Sequence, residues 1–240
     1  MTARRPILNL NGYTDLPMGK IAAVVTYLEM TARPRLKTWP RDPAWTLERI
    51  NGDLPRYRAL FRRVGEPWLW FSRAVMPEPA LEAILAHRDV EAYALRTSSN
   101  DIGILELDFR RADECELQYF GVVPEAVGTG AGRHLMDEAI RRAFRRRGSR
   151  KPIARLVLHT CSFDHPAALP FYVRAGFRPI RRAIEVADDP RLTGRLHREA
   201  APQVPLIEGG SRLRVASRPR RTARPQRSGA STQLMLRPRP

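Results

Sequence analysis

The chain has 240 residues, 43% of them hydrophobic, enough for one full domain with a small appendage, so wholesale disorder is excluded. Lys and Arg number 42 against 25 Asp and Glu, a net charge of +17, yet no apolar run approaches the ~20 residues of a membrane helix and the basic start Met-Thr-Ala-Arg-Arg-Pro-Ile-Leu precedes no apolar stretch of signal-peptide length. Two cysteines, Cys115 and Cys161, give neither a disulfide framework nor metal-ligand spacing, so no metal is expected and a cytoplasmic location is the default.

The position of the charge matters more than its total. Ser211–Pro240 contains nine Arg and no acid, and Arg141–Lys151 contains seven basic residues and no acid, which leaves the rest of the chain nearly neutral. Only Lys20, Lys37 and Lys151 are lysines, a skew that genome composition explains as easily as function.

Residues 1–15 read as a lead-in, 16–200 as the folded domain, and 205–240 as a disordered tail rich in Arg and Pro. Ile21–Met30 is apolar and reads as a strand. Asp42–Ile50 opens with Asp and Pro, a helix start. Leu54–Val64 repeats apolar residues at three and four spacing, which is helical. Trp68–Phe71 reads as a short strand and Glu78–His87 as a helix. Val90–Arg96 and Ile102–Phe109 flank Thr-Ser-Ser-Asn-Asp and form an antiparallel hairpin. Glu116–Val123 is a strand ended by Pro124, and a helix follows from about Ala131 to Arg146. Ile153–Thr160 shows little alternation and reads as a strand buried on both faces. Pro166–Ala175 is a helix stopping at Gly176, and Phe177–Val186 a closing strand. This order predicts a mixed α/β sheet rather than uniform βαβ units.

Gly128, Gly130 and Gly132 fall between a strand and a helix N-terminus, where unsatisfied backbone N–H groups favour an anion and glycine lets a phosphate approach. No Gly-Lys-Ser/Thr closes the loop, so it is not a Walker loop. The third glycine comes two residues after the second instead of three, and the next strand ends at His159-Thr160 without the acid that holds a ribose. The loop alone leaves two readings: a pyrophosphate cradle, or a glycine-rich turn without ligand.

Leu117-Gln-Tyr-Phe-Gly-Val-Val-Pro-Glu-Ala-Val-Gly-Thr-Gly-Ala-Gly-Arg-His-Leu-Met resembles the central motif of the GNAT superfamily of acetyl-CoA-dependent N-acetyltransferases. The family pattern is a strand, Val-x-Pro-Glu, Arg/Gln-x-x-Gly-x-Gly/Ala, then a helix; Val127 stands at the Arg/Gln position. Asp164-His-Pro-Ala-Ala-Leu-Pro-Phe-Tyr-Val-Arg-Ala-Gly-Phe is similar to a second family motif, with Asp164 where Asn is usual. The two cover about Val90–Val186. The resemblance implies a mostly antiparallel mixed sheet, flanked by helices and splayed between its fourth and fifth strands, Glu116–Val123 and Ile153–Thr160. It implies acetyl-CoA in the splay. The pyrophosphate would meet N–H groups of Gly128, Thr129, Gly130, Ala131, Gly132 and Arg133, and the pantetheine arm the backbone of Val122 and Val123. Asp164 stands where a cofactor contact is made in the family.

Acetyl transfer needs a neutral amine, a polarised thioester carbonyl and a protonated leaving thiolate. The resemblance implies that a backbone N–H near Val122 serves the carbonyl and that Tyr172 is the general acid. Glu116 is the candidate base, acting through water, against the alternative of a solvated strand-edge charge. His134, His165 and Cys161 read as structural or solvated. The arginines Arg141, Arg142, Arg145, Arg146, Arg147 and Arg150, with Lys151, are either a solvated helix face or a site for the cofactor's 3′-phosphate; Arg133 is better placed. Trp39, Trp45, Tyr57, Trp68 and Trp70 either line an acceptor pocket or pack helices on the sheet.

The resemblance implies a primary amine as the acceptor, in a small molecule or a protein. A nucleic-acid-associated protein using its basic tail, and a non-catalytic acetyl-CoA-binding domain, are the competing readings. The nine tail arginines would bind polyanions without sequence preference and with steep salt dependence, but no tail aromatic could stack bases. No membrane partner is expected, and a homodimer is left open.

Overall fold

A computed structural model describes residues 8–36, 42, 44–145 and 152–208. The basic tail after Ser211, Trp39 and the basic cluster Arg146–Lys151 lie outside the described residues.

One seven-stranded sheet runs through the fold. Its strands in chain order are β1 (Lys20–Met30), β2 (Thr46–Arg49), β3 (Val90–Arg96), β4 (Asp101–Asp108), β5 (Glu114–Val122), β6 (Arg155–Cys161) and β7 (Arg178–Asp188). Their spatial order is β2-β3-β4-β5-β6-β1-β7, with every pair antiparallel except β5 and β6. The mixed, mostly antiparallel sheet and its flanking helices are the expected fold class. The topology adds a feature that local patterns do not carry: the first strand lies between the last two. Val25–Met30 pairs with β6 and Lys20–Glu29 with β7.

Helix α1 (Leu54–Gly65) starts where Asp53 accepts a hydrogen bond from Arg56 N at 3.1 Å, and it turns Tyr57, Leu60, Phe61 and Val64 inward. α2 (Ser72–Val75) and α3 (Glu78–Leu85) follow, the latter burying Leu81 and Leu85. α4 (Ala131–Ala143) buries Leu135, Met136, Ala139 and Ile140, and α5 (Ala168–Ala175) ends at Gly176 with φ 107°. Helices α1 and α4 lie on opposite faces. A Cβ on Gly121 would meet Val64 of α1 at 2.5 Å, one on Gly103 would meet Leu135 of α4 at 3.2 Å, and Gly121 and Val122, the partner of Gly103, are consecutive on β5.

Three expectations are corrected. Asp42–Ile50 is not a helix. Asp42 accepts from Ala44 N at 2.9 Å and Trp45 N at 3.1 Å, a turn, and Thr46–Arg49 then extends to pair with β3. Trp68–Phe71 is not a strand. A 3-10 turn at Glu66–Trp68 ends on Leu69 in the left-handed region (φ 59°), and the aromatic side chains are spent on packing, not on a ladder. β6 is not buried on both faces: Leu156, Leu158 and Thr160 are buried, while Arg155 and His159 are exposed.

The segment after β7 folds back. Asp189 and Arg191 form a buried ion pair at 2.7 Å, and Arg191 also donates to the carbonyls of Ala200 (3.2 Å) and Val204 (2.8 Å). Leu196, Ala200 and Ala201 thereby pack on Leu69, beside Ile21, Phe71 and Phe163.

Candidate active site

The parallel pairing of β5 with β6 has three steps, Glu114↔Arg155, Cys115↔Leu156 and Glu116↔Val157, and then stops. Beyond Glu116 the two strands hold only their outer neighbours, β4 and β1. The result is a wedge between parallel strands, opening toward their C-terminal ends. This is the expected splay, and Glu116 stands at its apex.

The ladder decides which backbone groups line the wedge. Val123 N–H donates to Ile102 O at 3.0 Å, flanking the Val122↔Gly103 pair. In an antiparallel ladder that makes Val122 a non-hydrogen-bonded position, so its N–H and carbonyl turn away from β4 into the wedge. Val123 differs: its carbonyl also accepts from Ala126 N at 2.9 Å, so both of its backbone groups are used inside the chain.

After Pro124–Ala126 the chain passes Gly128 (φ 84°) and Gly130 (φ 94°) into α4. No side chain caps the helix from Gly130. Thr129 Oγ1 donates to Ala126 O at 2.8 Å and accepts from Ala131 N at 3.3 Å, which shapes the turn and draws the Ala131 N–H inward. The first-turn N–H groups have no intrahelical acceptor, and the space above Gly128 and Gly132 is open. Arg133 is exposed in this turn, and the Trp45 ring lies 5.7 Å from His134, also near Gly130.

Tyr172 on α5 reaches toward β5. Its ring centroid is 6.0 Å from Phe120, 5.7 Å from Phe171 and 6.1 Å from Phe177. Burial, and then the negative charge of Asp164, push its phenol well above the ordinary range, so it keeps its proton. Glu116 and Phe120 pair with Asp108 and Leu105, three apart on β4 and therefore on opposite faces. Glu116 and the Phe120–Tyr172 pair thus flank the wedge from its two faces. Glu116 Oε1 is 3.9 Å from His159 Nδ1; His159 lies 5.7 Å from Tyr27, whose ring is covered by Arg181 at 3.7 Å.

Asp164 lies beside the wedge with its carboxylate engaged. It accepts from Trp70 Nε1 (3.0 Å), Thr160 Oγ1 (2.6 Å) and Cys161 N (2.9 Å). These bonds tie the turn after β6 to the loop after α1. Cys161 is half-buried, and burial, then Asp164, push its thiol up to about 11, consistent with a packing role. His165 packs on Trp68 at 5.1 Å and accepts from Ala167 N.

The described arginines of the basic stretch sit at the far end of α4 from the glycine loop. Arg141 pairs with Glu138 at 2.6 Å, and Arg142 lies 4.3 Å over the Tyr93 ring. A shallow cavity of about 210 Å³ on α1 and the β3–β4 hairpin is lined by Arg56, Arg63, Arg96 and Asp101; Arg56 and Arg96 already pair with Glu48 and Asp101. The aromatics before Val90 divide. Tyr57 is core, Trp45 flanks the glycine loop, and Trp70 borders the wedge, 5.5 Å from Tyr119, whose hydroxyl is 2.5 Å from Ser72 Oγ.

Two residues at the site were not legible in the sequence. His159 lies on the face opposite Leu158 by simple alternation, but its place beside Glu116 depends on a parallel pairing. Tyr119 is one residue past the register slip at Glu106/Leu107, which resets its face relative to Glu116.

Among the described residues no helix is long and apolar enough to cross a membrane, and no group of His, Cys, Asp or Glu could hold a metal. No curated protein matches the chain. Among solved structures, a GCN5-related N-acetyltransferase from Kribbella flavida is 17% identical (TM-score 0.47) over 73% of this chain and 63% of its own. A GCN5-related N-acetyltransferase from Sphaerobacter thermophilus is 15% identical (TM-score 0.49) over 70% and 52%. A conserved protein of unknown function from Staphylococcus epidermidis is 14% identical (TM-score 0.46) over 71% and 64%. The chain therefore spans between about half and two thirds of the length of these structures. The model of the Acetyltransferase (GNAT) family matches residues 57–177, half of the chain, a stretch that contains the wedge, the glycine loop and α5, and the chain belongs to that family.

Proposed function

We propose that the protein transfers an acetyl group from acetyl-CoA to a primary amine, in a small molecule or a protein, by direct attack within the wedge. One observation carries this reading: the β5–β6 pairing ends at Glu116, Val122 turns its backbone into the gap, and the uncapped start of α4 lies just beyond. These residues fit acetyl-CoA. Gly128, Gly130, Gly132 and Arg133 would hold the pyrophosphate, and Val122 the pantetheine arm.

Glu116 takes a proton from the ammonium through water, which frees the amine lone pair. Nitrogen then bonds to the thioester carbon, the carbon–sulfur bond breaks, Tyr172 gives its proton to the departing sulfur, and the second proton that nitrogen sheds in becoming an amide passes through water to the Tyr172 oxygen, while Glu116 returns its proton to solvent. Burial keeps the Tyr172 phenol protonated at neutral pH, the form that has a proton to give. The backbone N–H of Val122 serves the carbonyl oxygen. Polyanion binding by the tail rests on residues 211–240, outside the described part.

The test is release of free CoA thiol from acetyl-CoA with a panel of primary amines. Tyr172→Phe should lower kcat by about 10²-fold or more while the acetyl-CoA Kd stays within about threefold. An unchanged kcat removes Tyr172 from the chemistry, and a chain that neither binds nor turns over acetyl-CoA removes the reading altogether.

A further inference from the structure

Glu116 and Tyr172 stand on opposite faces of the sheet, and this fixes where an acceptor lies. Its amine must reach Glu116 while the thioester sulfur reaches Tyr172, so the remainder of the acceptor lies on the Glu116 face. On that face a row of side chains leads away from the wedge across three strands. His159 comes two residues after Val157, the β6 partner of Glu116, and its Nδ1 is 3.9 Å from Glu116 Oε1. β1 sets Tyr27 opposite His159, with ring centroids 5.7 Å apart, and β7 sets Arg181 opposite Tyr27, with the guanidinium carbon 3.7 Å from the ring centroid. Directly opposed residues share a face, so the row lies on one surface. The slip in the β1–β7 register falls between Tyr27 and Leu28, past the end of this row. His159 and Arg181 are exposed and Tyr27 is half-buried.

The neighbouring arginines of this face are already paired. Arg111 meets Glu114 at 3.1 Å, Arg155 meets Glu114 at 2.7 Å, and Arg178 meets Glu29 at 2.6 Å. Arg181 has neither a carboxylate partner nor a hydrogen bond among the described residues; its one contact of this kind is the Tyr27 ring. Glu185 is four residues further along the strand, about 13 Å away and out of reach. At 3.7 Å the guanidinium lies on the ring, which holds its plane and leaves its N–H edge free for a planar anion.

The geometry points to Arg181 as the seat for a carboxylate of the acceptor, which makes the substrate a small amine with a carboxylate at its far end. This rests on the acetyl-transfer reading above. The stacked guanidinium offers two parallel N–H donors to a carboxylate and repels a second ammonium, so it selects against polyamines as well as for anions. Strands lie about 4.8 Å apart, so the seat is about 10 Å from β6 and an acceptor needs a linker of several carbons.

The test compares kcat/KM for ω-amino carboxylates, unbranched alkylamines and diamines of matched length, from about four to ten carbons. The wild type should favour the carboxylate over the alkylamine by about fivefold or more, with an optimum at one length, and should disfavour the diamine. Arg181→Ala should bring the carboxylate-to-alkylamine ratio to about one, and Arg181→Glu should shift preference to the diamine. Arg182→Ala, on the opposite face, should keep the wild-type ratio. Circular dichroism and the acetyl-CoA Kd check that each variant folds. Acetylation of alkylamines without a carboxylate preference, or a preference that survives Arg181→Ala, overturns this inference and leaves the acetyl-transfer reading standing. A wild type that acetylates no amine overturns both.

Discussion

Glu106 has no exposed surface, yet its carboxylate is fully engaged: Arg73 donates to it at 2.8 Å and Tyr57 donates from α1. Burial and then the Glu106 charge push the Tyr57 phenol well above its usual range, so it remains a donor. For Arg73 burial works toward deprotonation, and Glu106 more than offsets it. The alternation Ile104-Leu105-Glu106-Leu107-Asp108 puts Glu106 opposite the leucines, but alternation alone would send it to water. Only the packing of α1 and α2 on that face shows that it is buried and paired. Arg73→Met leaves a buried carboxylate without its cation and should cost about 3–5 kcal/mol in denaturant unfolding, whereas Arg73→Met with Glu106→Leu should recover most of that. Asp164 teaches a similar point. Its chain position matches a family motif, and only the tertiary structure shows that Trp70 and Thr160 donate to its carboxylate.

At the scale of elements, the sequence is most legible where structure depends on interactions within a few residues. The three-and-four spacing of α1, the turn between β3 and β4, and the glycine that ends α5 depend on local chemistry. The Asp42–Pro43 signal went astray because it opens a turn as readily as a helix, and the strand that follows is decided by β3. Leu69, left-handed between Trp68 and Trp70, costs about 1–2 kcal/mol and is held by its packing on Leu196, Ala200 and Ala201. Gly130 is left-handed because the chain must turn from the loop into α4 with its first N–H groups outward. Gly130→Ala should therefore cost about 1–2 kcal/mol in thermal unfolding and weaken acetyl-CoA binding measured by calorimetry. Unchanged affinity would take this turn out of the binding site.

Across the molecule, paired carboxylates tie distant segments together and set its response to acid. Burial pushes the Asp189 carboxyl up, but hydrogen bonds from the Arg191 side chain and backbone outweigh this and hold it below its usual value; Asp108 is held down in the same way by Arg110. The Glu48 carboxyl is lowered to about 2 by hydrogen bonds from Arg56 and then Arg96, at a screened surface position. A carboxyl depressed in the folded state stabilises the fold above its unfolded pKa, and that stability is lost as pH falls through the folded value. The melting temperature should therefore be level above about pH 5 and fall steadily below about pH 4, the range in which free aspartate takes up its proton. Asp189→Asn should lower the plateau and flatten the fall. A profile that keeps the wild-type slope would show that this pair does not fasten the C-terminal segment.

The sequence by itself determined the local grammar of this protein: which residues turn, which helices start where, the glycine loop before α4, and two motifs specific enough to name a family. It also showed that +17 is concentrated in two short stretches. Tertiary structure alone decided that β1 threads between β6 and β7, that β5 and β6 part at Glu116, and that Glu116 and Tyr172 approach the wedge from opposite faces. The division has a physical cause. Turns, caps and helix periods are fixed by interactions within a few residues. Strand order and register are settled by pairings between distant segments, about forty residues apart for β5 with β6 and more than a hundred for β1 with β6 and β7, where one step of register moves a side chain to the other face.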